Sequence, residues 1–264
     1  MTIVVKIGGQ AQEDAGVRRH VARQVAELCR SGHKVVVVHG GGKLLTQTLE
    51  RLGIPTHFHD GLRVTDGATR DVALMVLAGI VNKQWVAELD AQGMRALGIC
   101  GGDARLVEAR KLTARTGGRM KDLGFVGRPR KISPTVLYVA FHAGFVPVVA
   151  SLALGPGGEY FNINADDLAA ALATELKADR LLYLTESGGV WDAERRLLPV
   201  VKLGDIRGLI RKEIVRDGMI PKLRSCARTL RHDVGEIDIL SPAAKNGLLR
   251  AIASSEPVGT RIVK

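Results

Sequence analysis

Short runs of consecutive apolar residues alternate along the chain with longer segments in which apolar residues recur every three or four positions. The short runs are rich in Val, Ile and Leu, and they predict strands at 2–7, 34–39, 95–100, 146–151, 180–185 and 236–240. The longer segments predict helices at 15–32, 67–93, 166–178, 205–213 and 219–232. Continuous apolar strands between helices are typical of a mainly parallel sheet that is covered on both faces. The pattern therefore predicts an α/β protein.

One segment, residues 110–131, interrupts this alternation with Gly, Thr and many basic residues, and it predicts an inserted β-hairpin. Its charged residues are almost all cationic: Arg110, Lys111, Arg115, Arg119, Lys121, Arg128, Arg130 and Lys131, against Asp122. The whole chain carries a net charge of +11, which raises the question of nucleic-acid binding. The basic segment lacks interleaved aromatic residues, so we interpret it as a solvated basic hairpin and predict no nucleic-acid partner. Positive potential would also favour anionic small molecules.

Composition places the protein among ordinary globular chains. Its 264 residues are 46% hydrophobic and 25% charged, which suffices for a large core. The three cysteines lie far apart and show no spacing typical of metal ligands or disulfide frameworks, which favours a reducing cytoplasm. The start of the chain shows no secretion signal, and no run of about 18 apolar residues predicts a membrane span.

Glycines follow three of the predicted strands directly. They are Gly8 and Gly9 after the first strand, the run 40–42 after the second, and Gly188 and Gly189 after the strand at 180–185. In open α/β sheets, ligands bind beyond the carboxyl ends of the strands, and glycine lets backbone N–H groups approach an anion closely. Neither a phosphate-binding P-loop motif nor a dinucleotide-binding G-x-G-x-x-G motif is present. We therefore expect an anion site of another type at this edge.

Several charged and amide residues lie at positions suited to the same edge. Lys6 ends an apolar strand just before a glycine pair, and Lys222 follows Gly218 and Pro221 near a helix start. Arg63 lies in a turn-rich segment, and arginine is a natural bidentate partner for a carboxylate. Each of these residues alone is explained equally well by an ordinary structural role.

The segment before the helix at 166–178 carries a second set of polar groups. Asn164 is suited to cap the helix, and Asp166 suits its first turn through the helix dipole. Capping does not explain Asn162, a second amide two residues upstream. These positions are therefore further candidates for a binding site.

Taken together, the motifs resemble those of the amino acid kinase family and, within it, the acetylglutamate kinases of arginine biosynthesis. The resemblance runs through nearly the whole chain in the right order, and it includes "VKIGG", "VVVVHGGGKLL", "DGLRVTD", "GIVNKQWVAEL", "GFVG", "NINADDLAA", "YLTESGGV", "DGMIPKL" and "VGTRIVK". The segments "DGLRVTD" and "NINAD" are its most specific parts. Two positions depart from the family pattern: Ala104, where glycine is common, and Glu186, where aspartate is commoner.

The resemblance implies a three-layer αβα sandwich whose two lobes share the sheet. Residues 1–177 would form an N-terminal lobe for acetylglutamate binding and dimerisation, and residues 178–264 a C-terminal lobe for ATP. The implied reaction transfers the γ-phosphoryl group of ATP to the γ-carboxylate of N-acetyl-L-glutamate. The metal would be Mg²⁺ carried by the nucleotide, since no cluster of carboxylates marks a metal site held by the protein.

The resemblance also implies a role for each candidate residue. Lys6 and Lys222 would contact the transferring phosphoryl group, and Asp166 would orient the two lysines. Gly9, Gly41 and Gly42 would offer backbone N–H groups to the phosphoryl group. Gly8 and Gly9 would belong to the phosphoryl and nucleotide site, and Gly41 and Gly42 to the substrate site. Arg63 would bind the α-carboxylate of the substrate, with Asn162 holding its α-substituent. Thr185, Glu186 and Gly189 would lie near the nucleotide.

Arginine-inhibited members of the family carry an extra helix before the first strand, whereas Thr2 already begins the strand here. We therefore expect a homodimer, formed through the apolar helix at 67–93, and no strong inhibition by arginine. A single residue cannot form a helix, because a first turn fixes several residues for one hydrogen bond.

Three other functions remain open at this point. One is a related kinase that acts on a substrate carried by an acidic protein, which we do not favour. Another is a carbamate or uridylate kinase, against which "DGLRVTD" argues. The third is a binding module without catalysis, which the joint presence of Lys6, Asp166 and Lys222 makes the least favoured.

Overall fold

The computed structural model describes residues 1–116, 119–215 and 219–264. The tip of the predicted hairpin at 117–118 and the approach to the last long helix at 216–218, which includes Gly218, lie outside the described residues. The strands are β1 (Thr2–Ile7), β2 (Lys34–His39), β3 (Phe58–His59), β4 (Leu62–Arg63), β5 (Ala96–Cys100), β6 (Val107–Thr116), β7 (Arg119–Ile132), β8 (Val146–Ala150), β9 (Leu152–Leu154), β10 (Tyr160–Ile163), β11 (Arg180–Leu184), β12 (Val200–Lys202), β13 (Glu236–Leu240) and β14 (Thr260–Val263).

The helices lie between these strands. They are α1 (Gly9–Glu13), α2 (Ala15–Arg30), α3 (Gly42–Arg51), α4 (Gly67–Ala73), α5 (Asn82–Asp90), α6 (Thr135–His142), α7 (Ala165–Glu175), α8 (Ile206–Arg211), α9 (Met219–Leu230) and α10 (Gly247–Ala253). A π-helical segment, Leu74–Val81, joins α4 to α5, and a 3₁₀ turn spans Asp103–Arg105. The predicted helices are confirmed, with ends that shift by one to three residues.

The central sheet has eight strands in the order β12-β14-β13-β11-β1-β2-β8-β5. All neighbouring strands are parallel except β13 and β14. Side chains of one strand alternate between two cores: Val4 packs into one with α7 and α9, whereas Val5 packs into the other with α2 and α5. Both faces are therefore buried, which explains the continuous apolar runs and confirms the three-layer α/β arrangement. The division into lobes at residue 177 stays a prediction.

A second, four-stranded closed sheet lies beside the central sheet. The predicted hairpin at 110–131 is confirmed as β6 and β7, and it is longer than predicted. It closes with β9 and β10, in the order β10-β7-β6-β9. Neither β9 nor β10 was predicted, because strands of three and four residues are too short to show a period. Asn162, in β10, pairs with Val126 of β7 and Leu152 of β9.

The predicted helix at 67–93 runs from Gly67 to Asp90. It begins where Asp66 accepts a hydrogen bond from the Thr69 N–H at 2.8 Å, and it was not predicted to contain a π-helical segment. Within the described residues, this helix alone is long and apolar enough to cross a membrane. The core helix of a globular protein can be equally long and apolar. In this helix, Trp85 and Leu89 are buried in the core between the helix and the central sheet.

Candidate active site

The first two glycine segments meet at the carboxyl ends of β1 and β2, in the middle of the central sheet. Each leads directly into a helix. The N-cap residues, Gly8 of α1 and Gly41 of α3, have no side chain that could accept a hydrogen bond from the first turn. A Cβ atom on Gly8 would collide with the Leu184 carbonyl oxygen, and one on Gly41 would lie 2.7 Å from Leu77 Cδ2. Close packing therefore favours glycine at both positions. The two glycine segments line a cleft of about 730 Å³, and the N–H groups of the helix starts that follow them have no partner within their helices.

Three charged side chains meet at this cleft, as the sequence predicts. Lys6 Nζ lies 2.8 Å from Asp166 Oδ1, and the ammonium of Lys222 donates a hydrogen bond to Asp166 Oδ2. Asp166 lies in the first turn of α7, where its N–H donates to the Asn164 side chain at 2.8 Å. The predicted capping role of Asn164 is thus confirmed, and the cap fixes the turn that carries Asp166.

The electrostatics of this Lys6–Asp166–Lys222 triad keep the Asp166 carboxyl ionised. Burial opposes ionisation of the Asp166 carboxyl, but the two lysine charges outweigh it and lower its pKa to about 2. One carboxylate shared by two ammonium groups leaves one positive charge in excess. The triad can therefore bind a further anion while its own geometry stays fixed.

Tyr183, in β11, contacts both Lys222 and Asp166 of the triad, and this role was not predicted. The Lys222 ammonium lies 4.7 Å from the centre of its ring, within cation–π range. The Tyr183 hydroxyl donates a hydrogen bond to the Asp166 backbone carbonyl at 3.3 Å. The only sequence signal is a tyrosine within an otherwise aliphatic strand.

A second cavity, of about 190 Å³, lies on the other side of the 40–42 segment. Its lining includes Arg63, Asn162, Gly41 and Gly42, so the structure brings together all four predicted substrate-binding residues. The same glycines also line the larger cleft. A molecule that filled both spaces would lie across the glycine segment, with one end at Arg63 and the other at the triad.

Arg63 is buried, with an exposed fraction of 7%. Its guanidinium donates hydrogen bonds to Thr46 Oγ1 at 2.6 Å and the Gly42 carbonyl at 3.0 Å, and it stacks on the Phe58 ring at 4.7 Å. Burial lowers the pKa of Arg63 from its ordinary value, but arginine stays charged at neutral pH. Within residues 1–116, 119–215 and 219–264, no carboxylate lies within 4 Å of it. A buried cation without an acidic partner, beside open space, is suited to bind a carboxylate.

The third glycine segment, after β11, borders the site less directly. Glu186 lies beside the first segment, since its Oε1 atom would be 3.4 Å from a Cβ on Gly9. Thr185 Oγ1 lies 3.3 Å from the Ser187 hydroxyl, and Gly189 packs against Thr260. None of Thr185, Glu186 and Gly189 is among the described residues that line the 730 Å³ cleft.

Comparison with known proteins settles the family. A model of the amino acid kinase family matches residues 1–241. The chain belongs to the amino acid kinase family. The resemblance found in the sequence is thereby confirmed.

Relatives named acetylglutamate kinase match the chain along its full length. The one from Koribacter versatilis is 45% identical over 263 residues, which cover 100% of this chain and 99% of that protein. The one from Acidobacterium capsulatum is 42% identical, with the same coverage of both chains.

Solved structures agree with the fold. The N-acetylglutamate synthase of Neisseria gonorrhoeae, complexed with coenzyme A and N-acetyl-glutamate, superposes with a TM-score of 0.87 at 27% identity. The match covers all of this chain and 59% of that longer one. The carbamate kinase of Giardia lamblia bound to AMP-PNP superposes with a TM-score of 0.69 at 18% identity, over 100% of this chain and 98% of that one. The second match shows the shared fold alone.

Behind the glycine segment, this amino acid kinase has a buried polar network that was not predicted. His39 Nδ1 bonds to the Gly40 carbonyl at 2.8 Å, so its N–H donates there and Nε2 accepts from Asn82 Nδ2 at 3.1 Å. Asn82 Nδ2 also lies 2.9 Å from the Val148 carbonyl and 3.3 Å from the Ile99 carbonyl. Burial lowers the pKa of His39 to about 4, so its imidazole is neutral. The network ties the glycine segment to three elements of the core.

At the mouth of the cleft, an ion pair links the first two glycine segments. Lys43 Nζ lies 2.7 Å from Glu13 Oε2, which joins α3 to the end of α1. Both side chains are exposed, and both residues line the cleft. In the sequence, the signal for this ion pair is Lys43, the lysine that directly follows the glycine triplet.

Within the described part of the chain, no group of three or more His, Cys, Asp or Glu residues is arranged to hold a metal ion.

Proposed function

We propose that the protein catalyses the ATP-dependent phosphorylation of the γ-carboxylate of N-acetyl-L-glutamate, in arginine biosynthesis. The products are N-acetyl-γ-glutamyl phosphate and ADP. The observation that carries the proposal is the position of Arg63, which has no carboxylate within 4 Å among the described residues, in a cavity that shares its glycine wall with the Lys6–Asp166–Lys222 triad. That arrangement suits a dianionic substrate, with one carboxylate bound and the other presented to a phosphoryl group.

The chemistry needs charge neutralisation rather than a general base. A γ-carboxylate has an ordinary pKa near 4.3 and is ionised at neutral pH. One of its oxygens attacks the γ-phosphorus of ATP, the new O–P bond forms, and the bond to the β-phosphate oxygen breaks as ADP leaves. Both reactants are anions, so the barrier depends on alignment and on groups that stabilise negative charge on the transferring phosphoryl group.

In this proposal, Lys6 and Lys222 supply the positive charge, and Asp166 positions the two ammonium groups. The N–H groups of Gly9, Gly41 and Gly42 donate to the phosphoryl oxygens, and Gly8 allows the backbone to pass close to β11. Thr185, Glu186 and Gly189 lie on the nucleotide side. The donor set of glycine amides and lysines fits a nucleotide phosphate, and Mg²⁺ would be carried by the nucleotide.

At the other end, Arg63 binds the α-carboxylate and Asn162 contacts the acetamido group. Asn162 Nδ2 reaches Thr65 Oγ1 only at 3.5 Å, so its amide is weakly engaged and available to a ligand. Both residues line the smaller cavity, whose volume suits a short amino-acid derivative rather than a nucleotide.

A coupled assay of ADP release tests the proposal. We expect turnover with N-acetyl-L-glutamate, and little with N-acetyl-L-aspartate, which is one methylene shorter, or with L-glutamate, which lacks the acetyl group. Trapping the acyl phosphate with hydroxylamine identifies the product. Absence of ADP release from free acetylglutamate, with a nucleotide demonstrably bound, would contradict the proposed substrate.

We also propose that the protein is a cytoplasmic homodimer. The helix from Gly67 to Asp90 leaves Met75 and Ile80 exposed, with exposed fractions of 64% and 49%, next to small residues at 78–79. A second copy of this helix would cover that apolar face. Sedimentation of the purified protein and of its Met75→Lys/Ile80→Lys variant tests this. A wild-type protein that sediments as a monomer would contradict it.

A further inference from the structure

A further large hollow lies apart from the cleft at the triad. It has a volume of about 820 Å³, and it lies over α7, between the hairpin strand β7 and helix α9. Most of its charged lining residues are cationic: Arg110, Arg128, Arg130, Lys131 and Arg228. Asp167 and Glu175 are the acidic residues in that lining. Asp167, the neighbour of the triad residue Asp166, lines this hollow, which extends from there away from the triad.

A second hollow adjoins it on the other side of α9. Its volume is about 360 Å³, and it lies between α8 and α9. Five of its described lining residues are arginines, and none is acidic: Arg207, Arg211, Arg224, Arg228 and Arg231. Arg228 lines both hollows, and we call the two together the arginine groove.

Few of these cations have acidic partners. Arg130 lies 3.2 Å from Glu108, and Arg228 lies 3.9 Å from Asp167, the limit of an ion pair. For the remaining seven, no carboxylate lies within 4 Å in the part of the chain that the structure describes. Most of the positive charge in the groove is therefore without an acidic partner within ion-pair distance.

The spacing of the arginines along the helices works against stability. Arg207 and Arg211 are four residues apart on α8, and Arg224, Arg228 and Arg231 follow at intervals of four and three on α9. Like charges at these spacings face each other on adjacent turns and repel. A surface selected only for solubility would mix both signs. A bound anion would relieve the repulsion.

We propose that the arginine groove is a second anion-binding site, which takes a ligand carrying several phosphate groups. Eight of its nine cations are arginines, whose planar guanidinium matches phosphate oxygens with two parallel hydrogen bonds. No Phe, Tyr or Trp lines either hollow, and His232 is the one aromatic ring in their described lining, so the groove offers less to stacked bases than to phosphate groups. A phosphate chain carries dense charge without side-chain rotamers to order, which favours it over an acidic peptide.

This inference does not rest on the proposed kinase function. The groove lies on the far side of α7 from the glycine segments, and none of its cations lines either cavity of the candidate active site. The two sites nevertheless share an element, since α9 carries Lys222 as well as Arg224, Arg228 and Arg231.

Calorimetric titration with a short inorganic polyphosphate tests the proposal. We expect binding by the wild-type protein and about tenfold weaker binding by Arg207→Gln/Arg224→Gln/Arg231→Gln, a loss of about 1.4 kcal/mol in total over three exposed contacts. The dependence of log Kd on log salt should fall by about one for each arginine removed. A second variant, Arg128→Gln/Arg130→Gln, removes cations from the opposite wall and should also weaken binding.

The matched control removes three exposed arginines elsewhere: Arg19→Gln/Arg51→Gln/Arg250→Gln. It has the same net charge as the triple groove variant, so equal weakening by the two would overturn a localised site. Lys6→Gln/Lys222→Gln should bind polyphosphate normally, and loss of binding there would assign the ligand to the cleft instead.

Two competitor probes decide the ligand class. Tighter binding of poly-glutamate would overturn the phosphate assignment in favour of an acidic protein segment. Tighter binding of a single-stranded oligonucleotide than of polyphosphate would overturn it in favour of nucleic acid. Weaker binding of both probes supports the proposal.

Discussion

The cleft at the Lys6–Asp166–Lys222 triad and the arginine groove are both suited to anions, but the molecule builds them in opposite ways. In the cleft, Lys6 and Lys222 have exposed side-chain fractions of 15% and 11%, and both contact Asp166. In the groove, Arg130 and Arg228 have exposed fractions of 62% and 63%. The cleft adds backbone N–H groups fixed by the sheet, whereas the groove depends on exposed side chains.

The difference separates alignment from attraction. Charges that are partly buried and paired interact strongly and are little screened by salt, so they can hold one geometry. Exposed charges attract an anion from any direction, and salt screens them readily. A site that stabilises a transition state needs the first arrangement, and a site that only binds can use the second.

The largest expected effect comes from removing one cation of the triad. Lys222→Ala should lower kcat for acetylglutamate by roughly a hundredfold, with a much smaller change in KM, because the charge matters most as phosphoryl transfer proceeds. Steady-state kinetics measure both constants. Lys245→Ala removes an exposed lysine as the control. A Lys222→Ala enzyme with near-normal kcat would show that the triad is structural.

An intermediate effect is expected at Arg63. Arg63→Ala should raise KM for acetylglutamate about thirtyfold, which corresponds to the loss of about 2 kcal/mol from a charge-assisted contact, and leave KM for ATP nearly unchanged. Arg63→Lys keeps the positive charge but not the planar guanidinium, so its KM for acetylglutamate should lie between the values of the wild type and Arg63→Ala. If both KM values rose equally, the Arg63 contacts to Thr46 and Gly42 would be maintaining the fold instead.

The smallest effect concerns the neutral His39 behind the glycine segment. Its pKa is lowered to about 4 in the folded protein, against about 6.5 when unfolded, so its contribution to stability is complete above pH 6.5 and is lost as pH falls towards 4. Between pH 7.5 and 5.5, this residue should lower the free energy of unfolding by about 1 kcal/mol.

Urea titrations at several pH values measure that loss. His39→Gln should be less stable at pH 7.5 but should lose about 1 kcal/mol less between the two pH values. Identical pH slopes for the variant and the wild type would mean that other histidines cause the dependence.

The sequence predicts six of the eight central strands because these strands are buried on both faces and consist mostly of apolar residues. The outer strands β12 and β14 were not predicted, because they have only three and four residues. The prediction also fails at β9 and β10 because a strand of three or four residues in a closed sheet gains its pairing from neighbours far along the chain. Asn162 illustrates this: its place in β10 depends on Val126 and Leu152. The amide itself was found only because capping left it unexplained.

The residues of the candidate site were likewise predicted in part and missed in part. Lys6, Asp166 and Lys222 were predicted as a set through the family resemblance, since no local rule joins Asp166 to a residue 56 positions away. His39 and Asn82 were missed because each lies inside an apolar segment, and only tertiary packing shows that they meet. The arginines of α8 and α9 were missed as a cluster for the same reason, whereas the hairpin cations are close together in sequence.

The π-helical segment between α4 and α5 lets the helix accommodate one residue more than a regular α-helix of the same length. In an α-helix each residue turns the chain by about 100°, whereas π-helical hydrogen bonds skip one further residue and shift that phase. The segment at 74–81 thereby lets Leu77 and Val81 pack against Gly41 while Asn82 still reaches His39. A side chain can change at Gly79, where an added Cβ would meet open space. Deletion of one residue within this segment would remove the residue that π-helical bonding accommodates, so the helix could continue with regular α-helical hydrogen bonds and keep Asn82 and Trp85 on the side that faces the sheet.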